Sequence, residues 1–143
     1  MNPIEVHYKN SFAAIKIGNY LKLHMDNNFS IICIGTDKCI IDSLGPLTGT
    51  LLSKKNLAVD IYGTLNKPVH AMNINEYTKI IKKKKYNKVI AIDACLSNKK
   101  NQGIIEVREG PITPGRGIGK NLPYASSRCN RGCFNNRSCR FKW

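Results

Sequence analysis

Short runs of apolar residues alternate along the chain with stretches in which apolar residues recur every three or four positions. The runs predict strands, because they are continuous and strand-length, and they lie at residues 31–35, 57–62, 89–92 and 103–107. The periodic stretches predict helices, which lie at residues 11–25, 43–51 and 74–85. Strands separated by helix-length segments predict right-handed crossovers. We therefore expect an α/β fold, a parallel or mostly parallel sheet in three layers with helices on both faces.

Two aspartates follow predicted strands. Asp42 lies in the loop after the first strand, beside a helix that begins near Ser43, and Asp93 comes directly after the run 89–92. Ligands of open parallel sheets gather outside the carboxyl ends of the strands, so the two carboxylates meet there if their strands are neighbours. Such a pair can share a proton, with one member activating water and the other protonating a leaving group. The helix N-terminus favours charged Asp42, which predicts Asp42 as the base. The alternative is that Asp42 only caps the helix and Asp93 only ends a strand.

Other polar residues near these strand ends have weaker signals. Asp37 either supports the aspartate pair or makes an Asx-type turn. His70 either supports the site, binds a metal, or is a packed, hydrogen-bonded histidine. Cys95 would share a strand face with Asp93, but no histidine pairs with it in an obvious way as a nucleophile needs. The stretch 115–119 lacks the Gly-Lys-Ser/Thr ending of a phosphate loop, so we expect it to line the site instead.

Composition narrows the class of protein. The chain is 42% hydrophobic and 22% charged, with neither an apolar run of membrane-spanning length nor a signal-like N-terminus, so we expect a cytoplasmic protein with no membrane partner. The net charge of +14 is uneven: residues 1–109 hold 16 Lys/Arg and 9 acids, and residues 110–143 hold 7 Lys/Arg and no acid. We interpret Lys82–Lys85 as a solvated last helical turn, because lysines there complement the helix dipole and no aromatics interleave. Nucleic acid is therefore not an expected partner.

Several motifs, in this order and spacing, resemble the YyaC-type family of spore proteases over about residues 8–122. They are Gly35-Thr36-Asp37, Asp42-Ser43-Leu44-Gly45-Pro46, Tyr62-Gly63-Thr64, Pro68-Val69-His70-Ala71, Val89-Ile90-Ala91-Ile92-Asp93-Ala94, and Gly110-Pro111 through Gly119. That family is related to the germination protease of spore-forming bacteria and, more distantly, is similar to the hydrogenase-maturation endopeptidases. The resemblance implies a peptidase/phosphorylase-like fold.

The same resemblance implies a function. The germination protease has essential aspartates in a D-A-L-G-P element and an I-D-A element, which correspond to Asp42 and Asp93 here. It implies an aspartate-dependent peptidase without a cofactor or metal, acting in the cytoplasm of a forespore or sporulating cell. The substrate would be a protein or peptide, such as small acid-soluble spore proteins. The alternative is an inactive sporulation domain of the same fold that acts by binding a partner.

The tail departs from that family pattern, which continues with further sheet and a closing helix. Residues 123–143 are basic, lack apolar periodicity and contain Cys129, Cys133 and Cys139 at irregular spacing without a histidine. A zinc knuckle and an RNA-binding arm are less favoured interpretations. We predict that residues 1–122 form an incomplete, C-terminally truncated α/β domain, and that residues 123–143 are disordered or the product of a frameshift. Loss of the native end would uncover apolar surface and destabilise the fold.

Overall fold

The computed structural model describes residues 2–110 and 136–142. Their strands are β1 Ile4–His7, β2 Phe29–Cys33, β3 Asp60–Tyr62, β4 Lys88–Cys95, β5 Ile104–Glu109 and β6 Asn136–Lys142. Their α-helices are α1 Ala13–His24, α2 Leu44–Ser53 and α3 Ile74–Lys84. Two 3-10 turns lie at Ile40–Asp42 and Lys99–Asn101. The predicted helices are confirmed in type and approximate position.

The described strands form one sheet in the order β1-β5-β6-β4-β2-β3. Strands β3, β2, β4 and β6 are parallel to one another, whereas β5 runs antiparallel to both β1 and β6. The predicted α/β fold is therefore confirmed, with β2, β3 and β4 parallel as expected, whereas the fourth predicted strand, β5, is antiparallel to its neighbours.

Helices cover both faces of the sheet. On one face Ile32, Ile34, Val89 and Ala91 form an apolar cluster with Val69 and with Ile81 of α3. On the other face Ile31, Cys33 and Ile90 pack with residues of α1 and α2, namely Leu21 and Leu52. Alternate residues of β2 and β4 thus face opposite helical layers, which is why each strand contains a continuous apolar run, residues 31–33 in β2 and 89–92 in β4. The three-layer arrangement predicted from the sequence follows from these two clusters.

Several strand boundaries differ from the prediction. Strand β4 continues to Cys95, because residues Val89–Cys95 pair with β6 along their whole length, so Asp93 lies inside the strand and not after it. Strand β3 begins at Asp60, three residues later than predicted, since Leu57 is exposed and precedes the pairing with β2. Strand β1 was not predicted: it is four residues long and only Val6 is buried.

Part of the tail belongs to the sheet. Residues Asn136–Lys142 form β6, which lies between β4 and β5 and pairs with both. Disorder was predicted for the whole tail, whereas these residues form a strand that pairs with neighbours on both sides and has no apolar pattern. The rest of the tail and the stretch 115–119 lie outside the described residues, and the frameshift and the boundary at residue 122 stay predictions. None of the described helices combines the length and the apolarity needed to cross a membrane.

Candidate active site

Three chain segments meet at the carboxyl edge of the parallel strands. Beyond the end of β2, the Ile34 N–H donates to the Ile92 carbonyl of β4 at 2.8 Å. The next N–H, that of Gly35, donates to the carbonyl of Val69 at 2.8 Å. The segments after β2 and β3 and the second half of β4 are thus joined by backbone hydrogen bonds, at the edge where the sequence predicted a site.

A 3-10 turn holds Asp42 against this edge. The Asp42 N–H donates to the Cys39 carbonyl at 3.0 Å, and the Asp42 carbonyl accepts from the Thr36 N–H at 3.1 Å. Gly35, at φ +145°, lets the turn come this close: a Cβ atom there would lie 2.0 Å from the Asp42 carbonyl oxygen. The backbone around Asp42 therefore depends on a glycine where β2 ends.

The alternative that Asp42 caps α2 is not supported by the helix start. Ser43 occupies the N-cap position, and no side-chain capping hydrogen bond is made there. The Ser43 hydroxyl instead donates to the Ile40 carbonyl at 2.8 Å, within the 3-10 turn. Asp42 thus precedes the N-cap position by one residue.

The electrostatic environment of Asp42 differs from the expectation. Burial raises the pKa of its carboxyl above the ordinary 3.8, and this desolvation outweighs the backbone N–H of Thr36 and the charge of His70, which both lower the pKa. The helix N-terminus beside Asp42 predicted that its charged form is favoured, whereas burial acts in the opposite direction and is the larger effect. A raised pKa makes Asp42 a stronger base than an exposed aspartate.

His70 lies between the end of the β3 segment and the start of α3. Its N–H donates to the Asn73 Oδ1 at 2.9 Å, and its carbonyl accepts from the Ile74 N–H at 3.0 Å. Its Nδ1 accepts from the Met72 N–H at 3.3 Å, so in the neutral ring the proton is on Nε2. His70 lowers the pKa of the Asp42 carboxyl. In residues 2–110, no group of three or more metal-ligating side chains is assembled that would favour the metal-ligand alternative.

Asp93 is buried within β4, with 6% of its surface exposed. Strand alternation puts it on the same face as Val89 and Ala91, the face that α3 covers. In the pairing of β2 with β4, Ile34 is level with Asp93, and the next residue of that segment contacts the Asp42 turn. Cα atoms of this turn and of β4 come within 8 Å of each other. The backbones are therefore close, and a proton shared between the two carboxylates stays a prediction.

Asp37, Thr36 and Asn73 lie in the loops around Asp42 and His70. Asp37 is exposed, and the turn at this loop is closed by the Thr36 hydroxyl, which accepts from the Lys38 N–H at 3.3 Å. Sequence reasoning missed the role of Thr36 in holding Asp42 and the role of Asn73 in holding His70. The asparagine one residue before α3 was a readable signal, because asparagine is favoured at helix starts.

The raised pKa of Asp42 predicts a pH-dependent effect on stability. At pH values above the pKa of folded Asp42, the native state holds a partly buried negative charge, which lowers the free energy of unfolding. This cost disappears as pH falls through the folded pKa toward 3.8. We expect Asp42→Asn to melt a few degrees above the wild type at pH 7, with a difference that shrinks toward pH 4. Thermal unfolding at several pH values measures this.

Asp60 provides a control of opposite sign. Its carboxylate pairs with Lys84 at 2.8 Å and accepts from the Tyr86 hydroxyl, and both contacts lower its pKa. Its stabilising effect is present above the unfolded pKa and is lost as pH falls through the folded pKa. Asp60→Asn should therefore melt slightly below the wild type at pH 7. If both substitutions change the melting temperature at pH 7 in the same direction, the conclusion that burial raises the pKa of Asp42 is contradicted.

The fold and this edge define a mixed α/β domain with acidic residues at the carboxyl ends of its strands. Residues 5–137 match the family described as "Protein of unknown function (DUF1256)", and the chain belongs to that family. The match continues past Pro123.

One curated relative is similar to this chain over part of its length. The "Uncharacterized protein YyaC" of Bacillus subtilis (strain 168) is 45% identical over 95 residues, which is 65% of this chain and 46% of that protein. The aligned part thus spans about half the length of that relative. The comparison with solved structures returned no match.

Proposed function

We propose that this protein is a peptidase in which Asp42 and Asp93 hydrolyse peptide bonds. The observation that supports this most directly is the approach of the Asp42 turn to β4, the strand that buries Asp93. Burial of both carboxyls raises the cost of holding two negative charges at one edge, which favours a pair that carries a single proton.

The reaction then needs only this pair and water. With Asp42 ionised and Asp93 protonated, Asp42 takes one proton from a water molecule while the water oxygen bonds to the peptide carbonyl carbon. As the carbon–nitrogen bond breaks, Asp93 gives its proton to the leaving nitrogen. The pair holds one proton before and after the reaction, now on Asp42, and returns to its starting form by exchange with solvent.

His70 and Asp37 have supporting roles in this proposal. His70 lowers the pKa of the Asp42 carboxyl, and the bond from the His70 backbone N–H to Asn73 Oδ1 holds the His70 backbone in place. Asp37, exposed in the loop after β2, is placed to contact substrate and not to react. We propose a sporulation substrate, such as small acid-soluble spore proteins, in the cytoplasm of the spore-forming cell, on the basis of the motif resemblance.

Paired substitutions test the peptidase proposal. Wild type, Asp42→Asn and Asp93→Asn are incubated with small acid-soluble spore proteins and with a mixed peptide library, and cleavage is followed by mass spectrometry. Each substitution is expected to lower the rate by about 10²–10⁴-fold, the usual contribution of a general acid or base. Asp60→Asn, which removes a carboxylate from the far end of β3, should stay close to the wild-type rate.

Circular dichroism spectra and melting curves of all four proteins separate lost chemistry from lost fold. Equal cleavage by wild type and both site variants contradicts the proposal. Absence of cleavage by a folded wild type also contradicts it and leaves the alternative of a partner-binding sporulation domain.

A further inference from the structure

Lysines from α3, from β4 and from the segment after α2 lie at the end of the sheet opposite the candidate active site. Right-handed crossovers bring the C-terminal ends of α2 and α3 to the edge where the parallel strands begin. The lysines there, which we call the lysine edge, are Lys54, Lys55, Lys82, Lys83, Lys84, Lys85 and Lys88. All but the partly buried Lys88 are exposed. The sequence run Lys82–Lys85 is thus only part of a larger basic surface.

Carboxylates near this edge do not balance the lysines. In residues 2–110, those nearby are Asp26, Asp60 and Glu109. Asp60 is paired with Lys84 at 2.8 Å, and Asp26 accepts from the Asn28 N–H at 2.9 Å and the Asn87 side chain at 3.2 Å. Glu109 ends β5 beside the start of β6. Among the described residues at this edge the lysines outnumber the acids, so the edge carries a positive excess.

The helix dipole does not account for this excess. Each helix C-terminus is equivalent to about half a negative charge, so α2 and α3 together supply about one. Lys54 and Lys55 follow α2 and lie outside its last turn, which contains no basic residue. Lys88 donates to the last carbonyl of α1, that of His24, at 2.5 Å, and so satisfies a third helix end. The remaining lysines exceed what the helices need.

We propose that the lysine edge binds the phosphate backbone of duplex DNA without reading its sequence. Lysine is a point charge that binds phosphate but lacks the planar fork with which arginine reads guanine. Since α2 and α3 lie on opposite faces of the sheet, the lysines flank the edge on both sides and can reach several phosphates along one groove. No apolar side chain interrupts Lys82–Lys85, whereas a membrane-surface helix would place apolar residues beside its lysines.

Salt dependence of binding tests this proposal on the full chain. Binding of a short fluorescein-labelled duplex of random sequence is followed by anisotropy at salt concentrations of about 50 to 200 mM. The edge variant combines Lys54→Gln, Lys55→Gln, Lys83→Gln and Lys85→Gln, and leaves the Lys84–Asp60 pair intact. We expect it to bind at least about tenfold more weakly and to flatten the plot of log affinity against log salt by about 0.9 for each phosphate that it no longer neutralises.

A matched control carries the same charge change at the other edge. It combines Lys38→Gln, Lys67→Gln, Lys99→Gln and Lys100→Gln, all exposed in the segments that follow β2, β3 and β4. This variant should keep the wild-type salt slope and nearly the wild-type affinity. Equal losses in both variants would show an effect of net charge alone and would overturn the proposal.

Two further measurements exclude other binders. A variant with Arg116→Gln, Lys120→Gln, Arg128→Gln and Arg131→Gln should retain the salt slope; if it alone loses binding, the phosphate contacts are not at the lysine edge and the proposal fails. Binding to phosphatidylcholine–phosphatidylserine vesicles in the absence of DNA binding would likewise overturn it. Peptide cleavage is measured separately, so the result of the DNA-binding experiment neither supports nor contradicts the peptidase proposal.

Discussion

Gly49→Ala is expected to destabilise the protein by about 3 kcal/mol, the upper part of the usual range for overpacking a core. A Cβ atom at this position of α2 would lie 2.0 Å from the Gly63 carbonyl oxygen and 3.2 Å from the Cys33 Cβ. The Gly63 carbonyl oxygen is a backbone atom that cannot easily move away, because Gly63, at φ +86°, lies directly against the Cys33 carbonyl. The helix would have to move away from the sheet to make room for one methyl group.

This loss would be a large share of total stability, since a domain of this size is stable by only about 5–15 kcal/mol. Guanidinium unfolding followed by circular dichroism measures it. Gly18→Ala is the matched control: Gly18 is an exposed helical glycine of α1, and a Cβ there meets nothing within 4 Å. Alanine should stabilise that site by about 0.5–1 kcal/mol. An unchanged midpoint for Gly49→Ala would mean that α2 does not pack this closely on the sheet.

Ser138→Pro is expected to disrupt the sheet at its centre. In β6, Ser138 is level with Ala91 of β4 on one side and with Arg108 of β5 on the other. Proline has no N–H to donate, so one hydrogen bond from β6 to β4 or to β5 is lost. Within sheets, proline is essentially confined to edge strands and bulges. Because β6 lies between β4 and β5, the pair β1–β5 would lose its connection to the rest of the described sheet.

We expect Ser138→Pro to abolish the cooperative unfolding transition or lower its midpoint by several degrees. Ser138→Ala keeps the backbone N–H and isolates the effect of proline. Thermal unfolding and limited proteolysis of both variants measure the difference. If Ser138→Pro melts at the same temperature as Ser138→Ala, residues 136–142 do not form an interior strand. That result would favour the disordered tail predicted from the sequence.

The parts of the fold that the sequence predicted well are those buried on both sides. Strands β2 and β4 contact helices on either face, so each is a continuous apolar run that could be read directly. Strand β1 escaped prediction because an edge strand of four residues buries only Val6. Strand β6 was not predicted, because its position depends on hydrogen bonds to two neighbours and backbone pairing leaves no pattern in the residue types.

The rule that ligands gather at the carboxyl ends of parallel strands predicted a site with Asp42 and Asp93 at this edge, and that site stays a prediction. The backbone of the Asp42 turn does approach β4, the strand that contains Asp93. The direction of the Asp42 pKa was wrong because a helix start can be read from a sequence, whereas the extent of burial depends on how closely the turn packs at Gly35. The convergence of lysines at the opposite edge also needed the topology, since Lys54 and Lys83 are far apart in sequence.

The sequence position of β6 has a consequence for how the protein is made. This strand follows the other five described strands along the chain, yet it lies in the interior of the sheet. While the ribosome has yet to release residues 136–142, one edge of β4 has no strand beside it, and open edges of apolar strands recruit other chains. The nascent protein is therefore most prone to aggregate just before synthesis of these residues ends, and chaperones that cover strand edges should raise its yield.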